Sequence, residues 1–357
     1  MKQLFAGLFV QTILGLAGAS AQIPFSDSRW IIKAKEAKEE TYEGKQCLKI
    51  IDGTATLPAA HFANGEISFD MAITHARYFP GIGFRMQDSA NGEMFYVRPH
   101  QSGNPDALQY YPEFNGDGGW QLYYGEGFNR AQVLPFDQWI HVKILVGGDR
   151  AEVWFDGQLA LNIRQLMRPE KQGMIILENT SAEAARYANF SYMSTDTVTL
   201  GPPPARAASL PPSMVTLWKI SSPFDEELLK KGFALPLSAL DTLSWTDFST
   251  DDRGIADLSR LAGTAKGRNT VLGRLVLQAD QDTIRQLSFG FSDRARVYLN
   301  GRLLYEGKDE FMSRDYRFLG TIGFYDALFL PLKKGANELI IAVSEDFGGW
   351  GLTARLE

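Results

Sequence analysis

Gly65-Glu66-Ile67-Ser68-Phe69-Asp70-Met71-Ala72-Ile73 alternates apolar and polar side chains almost without a break. A strand turns successive side chains to opposite faces, so Ile67, Phe69, Met71 and Ile73 share one face while Glu66, Ser68 and Asp70 share the other. A helix would scatter the same apolar residues around its circumference. Ile140, Val142, Ile144 and Val146 repeat the pattern after Trp139. Between such runs stand Asn64-Gly65, Asn91-Gly92, Gly147-Gly148, Asp156-Gly157 and Asn300-Gly301. These dipeptides supply the positive φ angles that tight hairpins require. Half-buried antiparallel strands joined by short turns predict an all-β chain. Asp225 to Lys231, led by Ser222-Pro223, is the main helical candidate, and Lys33 to Glu40 reads as strand and connection despite its charge.

The periodicity stops at Gly201-Pro202-Pro203-Pro204-Ala205-Arg206-Ala207-Ala208-Ser209-Leu210-Pro211-Pro212. Proline cannot donate to a β-ladder and favours extended chain, so residues 198–213 read as a semi-rigid linker. The expected architecture is two antiparallel β-sandwich (jelly-roll) domains, residues 23–197 and 214–357, each long enough for its own core.

Met1-Lys2-Gln3 gives a short positive start, Leu4 to Ala17 an almost wholly apolar run, and Ala19-Ser20-Ala21 a small-residue cleavage site. These are the three parts of a secretory signal peptide, residues 1–21, with Gln22 as the expected mature start. A 14-residue run spans roughly 21 Å as a helix, short of the ~30 Å hydrocarbon core of a bilayer. Export to the periplasm or the extracellular space is therefore expected, with no membrane span. The formal charge of −6 comes without a basic run, which excludes the Lys- and Arg-rich surface that phosphate backbones need. One cysteine excludes an intramolecular disulfide framework, and the strand-like setting of Cys47 makes it a small buried hydrophobe.

Several stretches resemble known families. Gly65 to Asp70, Gly81-Ile82-Gly83-Phe84-Arg85, Trp139-Ile140-His141-Val142-Lys143, Ala151 to Gly157 and Tyr187-Ala188-Asn189-Phe190-Ser191 are similar to the concanavalin A-like lectin/glucanase superfamily, in particular its laminin-G-like and 3-keto-disaccharide-hydrolase-like members. Val297-Tyr298-Leu299-Asn300-Gly301, Leu330 to Leu339 and Gly349-Trp350-Gly351-Leu352 resemble galactose-binding-like jelly rolls. The resemblance implies two β-sandwiches and, at the level of fold analogy, a carbohydrate ligand.

The paired Glu-x-Asp-x-x-Glu of lectin-fold glucanases is missing: Glu66 and Asp70 stand in the wrong register, and Glu178 has no partner at that spacing. No metalloprotease helix motif, nucleophile elbow or phosphate loop occurs, and His61, His75, His100 and His141 are scattered. One polar-aromatic stretch remains, residues 81–126. Strand parity turns Phe95 and Val97 inward and groups Arg85, Tyr96, Arg98, His100, Gln109, Tyr111, Gln121 and Tyr123 on one outer sheet surface. Aromatic faces stack on sugar C–H surfaces while Arg and Gln donate to hydroxyls, so this set is the leading ligand site. The competing reading covers the same face with the second domain. Second-domain candidates are Trp245, Asp251, Arg314, Asp315, Glu345 and Trp350, which combine acid and aromatic residues in loops. No cofactor is required; the turn Asn115-Gly116-Asp117-Gly118-Gly119 could offer oxygens to calcium but reads better as a plain glycine turn.

The expected function is that of an exported carbohydrate-binding protein, with a polysaccharide or oligosaccharide ligand, no nucleic acid and no catalysis of its own. The alternatives are a sugar-cleaving hydrolase resembling 3-keto-disaccharide hydrolases and a structural or protein-interaction sandwich protein.

Overall fold

The computed structural model describes residues 21–204, 209–230, 232–236, 241–315 and 317–357. Residues 1–20 of the signal peptide read over 1–21, part of the proline segment and Lys231 of the helical candidate lie outside the described residues.

The first half builds β1 (Ile31–Tyr42), β2 (Lys45–Phe62), β3 (Gly65–Ala72), β4 (Pro80–Asp88), β5 (Asn91–Val97) and β6 (Leu108–Phe114). It continues through β7 (Asp117–Gly118), β8 (Asn129–Arg130), β9 (Trp139–Gly147), β10 (Arg150–Phe155), β11 (Gln158–Ile163), β12 (Gly173–Asn179) and β13 (Ala185–Ser194). Their ladders run β11-β10-β9-β3-β13-β2-β12-β4-β5-β6-β7, with β1 added to β2 and β8 to β6. Phe95 on β5 and Phe155 on β10 sit far apart in that order, yet their rings lie 6.2 Å apart. The sheet therefore folds over on itself, and its two arms close around one core as a sandwich. Ile67, Phe69, Met71 and Ile73 lie in that core together with Ile140, Val142, Ile144 and Val146, the faces that alternation assigns inward.

The second half builds β14 (Leu217–Ser221), β15 (Trp245–Ser249), β16 (Ala256–Asp257), β17 (Thr270–Ala279) and β18 (Thr283–Ser292). It ends with β19 (Arg294–Leu299), β20 (Arg302–Lys308), β21 (Asp326–Leu332), β22 (Gly335–Ser344) and β23 (Gly351–Leu356). A six-stranded sheet, β15-β14-β17-β22-β19-β20, faces a four-stranded one, β16-β23-β18-β21. Trp218, Phe289, Phe291, Val297, Ile341, Val343 and Leu352 fill the space between them. Among the described residues there is no α-helix. The expected helix at Asp225–Lys231 reduces to a single 3₁₀ turn, Glu226–Leu229, capped by the Asp225 carboxylate on the Glu227 N–H. A segment this short cannot repay helix nucleation on its own.

The start of the proline segment is pinned to the first sandwich. The Gly201 N–H donates to Glu152 Oε1 at 2.7 Å, Arg150 donates to the Gly201 carbonyl, and Asn162 donates to the Pro202 carbonyl.

The two sandwiches meet along residues 115–123. Tyr123 donates to Asp257 at 2.7 Å, and Arg253 donates to the Leu122 carbonyl while stacking on the Tyr123 and Phe128 rings. Thr264 donates to Asp117 through both its N–H and its hydroxyl, and Asn115 donates to the Ser259 carbonyl. Gln121 is wholly buried in this seam. Its N–H donates to the Gly348 carbonyl and its amide to the Leu319 carbonyl, while its Oε1 accepts from Ser292.

Candidate functional site

The floor of the site is a cross-strand row on four neighbouring strands. Glu178 on β12 pairs with Gly81 on β4, Gly81 with Tyr96 on β5, and Tyr96 with Gln109 on β6. Paired residues in antiparallel strands project to the same face, so Glu178 and Tyr96 flank a position that carries no side chain. A Cβ at Gly81 would sit 2.4 Å from the Phe95 carbonyl oxygen, so glycine is the residue that lets β4 and β5 close up beneath the trough. Tyr111 stands one row along, its ring 5.6 Å from that of Tyr96 in an edge-to-face arrangement.

The roof comes from the second sandwich. Segment Glu345-Asp346-Phe347-Gly348-Gly349 follows β22 and is anchored to the first sandwich through the Gln121–Gly348 bond. Phe347 reaches the Trp120 ring at 6.1 Å. Floor and roof enclose a cavity of about 450 Å³, the size of many small-molecule sites. Phe79, Tyr96, Tyr111, Trp120 and Phe347 give it aromatic walls, and Asp117, Glu178, Glu345 and Asp346 give it carboxyl groups.

Those carboxyl groups differ in charge state. Burial alone pushes Glu178 up to about 7, and among the described residues no hydrogen bond engages its side chain. Glu113, two residues beyond Tyr111, is pushed up to about 8 by burial and by the nearby Glu178 and Asp117 charges. Burial also raises Asp117, despite the two bonds from Thr264. Glu345 is held well above the ordinary carboxylate range by burial and by the Asp293 charge beside it. Its Oε1 accepts from the Gly349 N–H at 3.1 Å, whereas its Oε2 has no partner. Asp346 goes the other way, because Arg294 donates to it at 2.7 Å.

The expectation of an open outer surface is corrected by this arrangement. Parity does group Tyr96, Arg98, Gln109 and Tyr111, but all four are buried, because segments 120–123 and 345–349 cover the face. Arg98 donates to the Tyr96 hydroxyl, the Gln109 Oε1 and the Asp106 carbonyl, and its guanidinium packs on the Tyr96 and Trp120 rings. Gln109 donates to the Tyr123 carbonyl at 2.6 Å. Of the predicted set only Tyr96 and Tyr111 line the aromatic-walled cavity, and Tyr123 lines a larger one of about 700 Å³ further along the seam. Gln121 and Tyr123 are seam residues. His100 lies beyond Phe79, in a side cavity of about 110 Å³ with Arg77 and Arg98, where burial and the two guanidinium groups push its pKa down.

Arg85 is elsewhere altogether. The ladder between β4 and β5 shifts register after Phe84, and Arg85 has a φ of 51°. Its guanidinium turns to the Ala63 and Gly148 carbonyls and the Asn64 side chain. In the second sandwich only Glu345 of the six candidates lines the aromatic-walled cavity, and Asp251 lines the larger one. Trp350 is a core residue whose indole N–H donates to the Val343 carbonyl at 3.0 Å. Trp245 packs against a small apolar cluster beneath Arg274. Asp251 shapes the turn that aims Arg253 at the seam. Arg314 pairs with Asp309 and Asp326, and Asp315 with Arg317. Asp117, the one acid of the glycine-rich turn weighed for calcium, has both carboxylate oxygens taken by Thr264.

Sequence reasoning missed Phe79, Glu113, Glu178 and the cavity role of Trp120 and Phe347. Glu178 has one visible mark, an acid closing the apolar run Met174-Ile175-Ile176-Leu177.

The raised carboxyl groups have a consequence for stability. Above their ordinary value of 4.5, Glu178 and Glu113 still hold a proton in the folded chain that the unfolded chain has lost. The native state then binds more protons, so stability falls as pH rises from about 4.5 through about 7–8. Melting curves of the free protein should show a lower Tm at pH 8.5 than at pH 5.5, by at least about 2–4 °C for a loss of about 1 kcal/mol. Glu113→Gln should flatten the slope; a Tm that rises over the interval would contradict the assignment. Asp346, held below its ordinary value, contributes only at more acid pH and does not offset the fall.

The two β-sandwiches and the cavity between them now define the class of protein: an all-β chain whose site is walled by both halves. A sequence model of the family described as the 3-keto-alpha-glucoside-1,2-lyase-like domain matches residues 28–192. Those residues span all thirteen strands of the first sandwich except the last two residues of β13. Among solved structures, the carbohydrate-binding module CBM66 from Bacillus subtilis is 19% identical, with a TM-score of 0.37 over 46% of this chain and 96% of that one. A sialidase is 14% identical, with a TM-score of 0.38 over 50% of this chain and 18% of the sialidase. Galectin LEC-6 from Caenorhabditis elegans is 13% identical, with a TM-score of 0.30 over 41% of this chain and 95% of the galectin. No curated protein matches the chain.

Proposed function

We propose that the protein takes a carbohydrate into the cavity between its sandwiches and acts on it by acid–base chemistry, with Glu178 as a proton donor. The carrying observation is the pairing of aromatic walls with a carboxyl group whose pKa of about 7 leaves it about half protonated at neutrality. Aromatic rings take up the apolar faces of a sugar. A carboxylic acid with a pKa near the working pH can hand its proton to a departing glycosidic oxygen. The family match supports the same direction, since it spans the strands that form the cavity floor. Its description names a 1,2-elimination on a 3-keto glucoside. In that reaction a base takes the C2 proton that the ketone acidifies, C1=C2 forms as C1–O1 breaks, and the leaving oxygen takes a proton from Glu178; Asp346, the wall carboxylate held in its charged form, is the candidate base.

A second reading, sugar binding without turnover, rests on the Trp120 and Phe347 platform. Incubation with a 3-keto disaccharide and with its unmodified parent, followed by product chromatography, separates the two. The proposal expects a free sugar released from the keto substrate. Binding by calorimetry without release would favour the second reading, and neither heat nor product with any sugar would refute both.

The proposal includes the wider organisation. Residues 23–197 and 214–357 are taken as separate domains joined by 198–213, the second as a galactose-binding-like jelly roll, supported by their distinct cores. The apolar start and Ala19-Ser20-Ala21 support export of the mature chain.

A further inference from the structure

The lining of the aromatic-walled cavity is lopsided in charge. Asp117, Glu178, Glu345 and Asp346 contribute to its wall, and no Lys, Arg or His does. Two of the four are already engaged, Asp117 by Thr264 and Asp346 by Arg294. The other two are not. Glu345 is 98% buried and its Oε2 lacks any hydrogen-bond donor, and no donor among the described residues reaches the Glu178 carboxyl. A buried polar atom without a partner is costly, and a ligand can supply the partner.

Past Thr264, Glu345 and Asp346 the wall continues into a second cavity of about 510 Å³. Asp225, Glu226, Glu227 and Asn269 line it, with Lys266 as its one basic residue. There Glu226 is already paired with Arg294 and Glu227 with Lys230, so it is the first cavity, through Glu178 and Glu345, that has acids without a partner and no positive charge in its lining.

Resting on the reading of this cavity as a sugar site, we infer that it selects sugars bearing a protonated amine over neutral ones, and neutral ones over sugar acids. An ammonium group supplies three N–H donors and a charge to Glu178 and Glu345, whereas a uronate would add a further carboxylate to a wall that already holds four carboxyl groups. A hydroxyl can donate to either acid but brings no charge.

Proton linkage offers a readout that does not depend on variants. A cation placed beside Glu178 and Glu345 lowers their pKa values, so an amine sugar expels protons as it binds near pH 7. A neutral sugar of the same shape should expel few.

Four β-1,4 disaccharides test this at pH 7 in low salt, by calorimetry on the full mature chain in phosphate and in Tris: diglucosamine, its di-N-acetyl form, cellobiose, and cellobiose with one ring oxidised to the uronic acid. The expected order places diglucosamine at least tenfold tighter than cellobiose and the di-N-acetyl form, and the uronate at least tenfold weaker than cellobiose. Only diglucosamine should show an enthalpy that changes between the two buffers through proton release. Glu345→Gln and Glu178→Gln, each checked by its melting curve, should shrink the amine preference several-fold. Equal binding of cellobiose and diglucosamine, or tighter binding of the uronate, would overturn the inference while leaving the sugar site standing. If none of the four binds and the 3-keto disaccharide does not either, the sugar site itself fails and the inference with it.

Discussion

Glu178→Gln should lower turnover of the sugar substrate about 10²–10⁴-fold, the usual worth of a positioned general acid, and change substrate affinity only a few-fold. The amide keeps the size and the hydrogen-bonding edge of the carboxyl, so the trough between Gly81 and Tyr96 keeps its shape. What it loses is the proton. Glu178 is half-buried at the cavity wall, and its pKa of about 7 comes from burial alone. A donor with that value predicts a rate that falls as pH climbs through about 7, and the limb should vanish in the variant. Steady-state kinetics from pH 5.5 to 8.5 on both proteins give the answer. A Glu178→Gln protein with wild-type kcat would remove Glu178 from the proposed chemistry; a pH limb of opposite sense would make it a base. Glu113 is the control, since it does not line the cavity yet feels the Glu178 charge. Glu113→Gln should leave the pH limb near its wild-type position, because Glu113 is still uncharged while Glu178 titrates, and should cost far less in rate.

The fold was legible because strand alternation is a local property. Ile67 to Ile73 and Ile140 to Val146 announce their buried face within single runs, and the buried, strand-bound Cys47 follows the same logic. The turns are local too, Asp156-Gly157 and Asn300-Gly301 each taking positive φ at both residues. Parity also reached part of the site, since Tyr96, Arg98, Gln109 and Tyr111 do share a face. It could not show that the face is covered, because the cover comes from Phe347 and its neighbours, more than 200 residues further along the chain. Arg85 escaped for a different reason: one register shift after Phe84 undoes the alternation on which its placement depended. Glu178 was illegible because its chemistry lies in its surroundings. The acid itself is ordinary, and its raised pKa arises only when the neighbouring strands and the second sandwich remove water around it.

Arg98→Ala should destabilise the protein by about 3–5 kcal/mol, the cost of stripping one partner from a buried ionic arrangement. Strand parity placed this side chain on an outer sheet surface, where its loss would leave the melting temperature nearly unchanged unless the second domain covers that face. The structure reverses the expectation, because Arg98 is only 5% exposed and has no solvent to fall back on. Its guanidinium satisfies the Tyr96 hydroxyl, the Gln109 Oε1 and the Asp106 carbonyl at once, and Asp106 Oδ2 lies 3.8 Å away. Removing it leaves those acceptors buried without a donor and opens a void between the Tyr96 and Trp120 rings. Urea titration should show a lower midpoint with an unchanged slope, the sign of lost stability without a change in exposed surface. Arg98→Lys separates charge from shape. It keeps a cation near Asp106 but loses the planar fork that reaches several acceptors and stacks on both rings, so it should recover less than half of the loss. Sugar affinity should fall in both variants, because Tyr96 and Trp120 form cavity walls and Arg98 holds them from behind. An Arg98→Ala protein with wild-type stability and weaker binding would instead mean that Arg98 meets the ligand directly, which would return the site to the face predicted from strand parity.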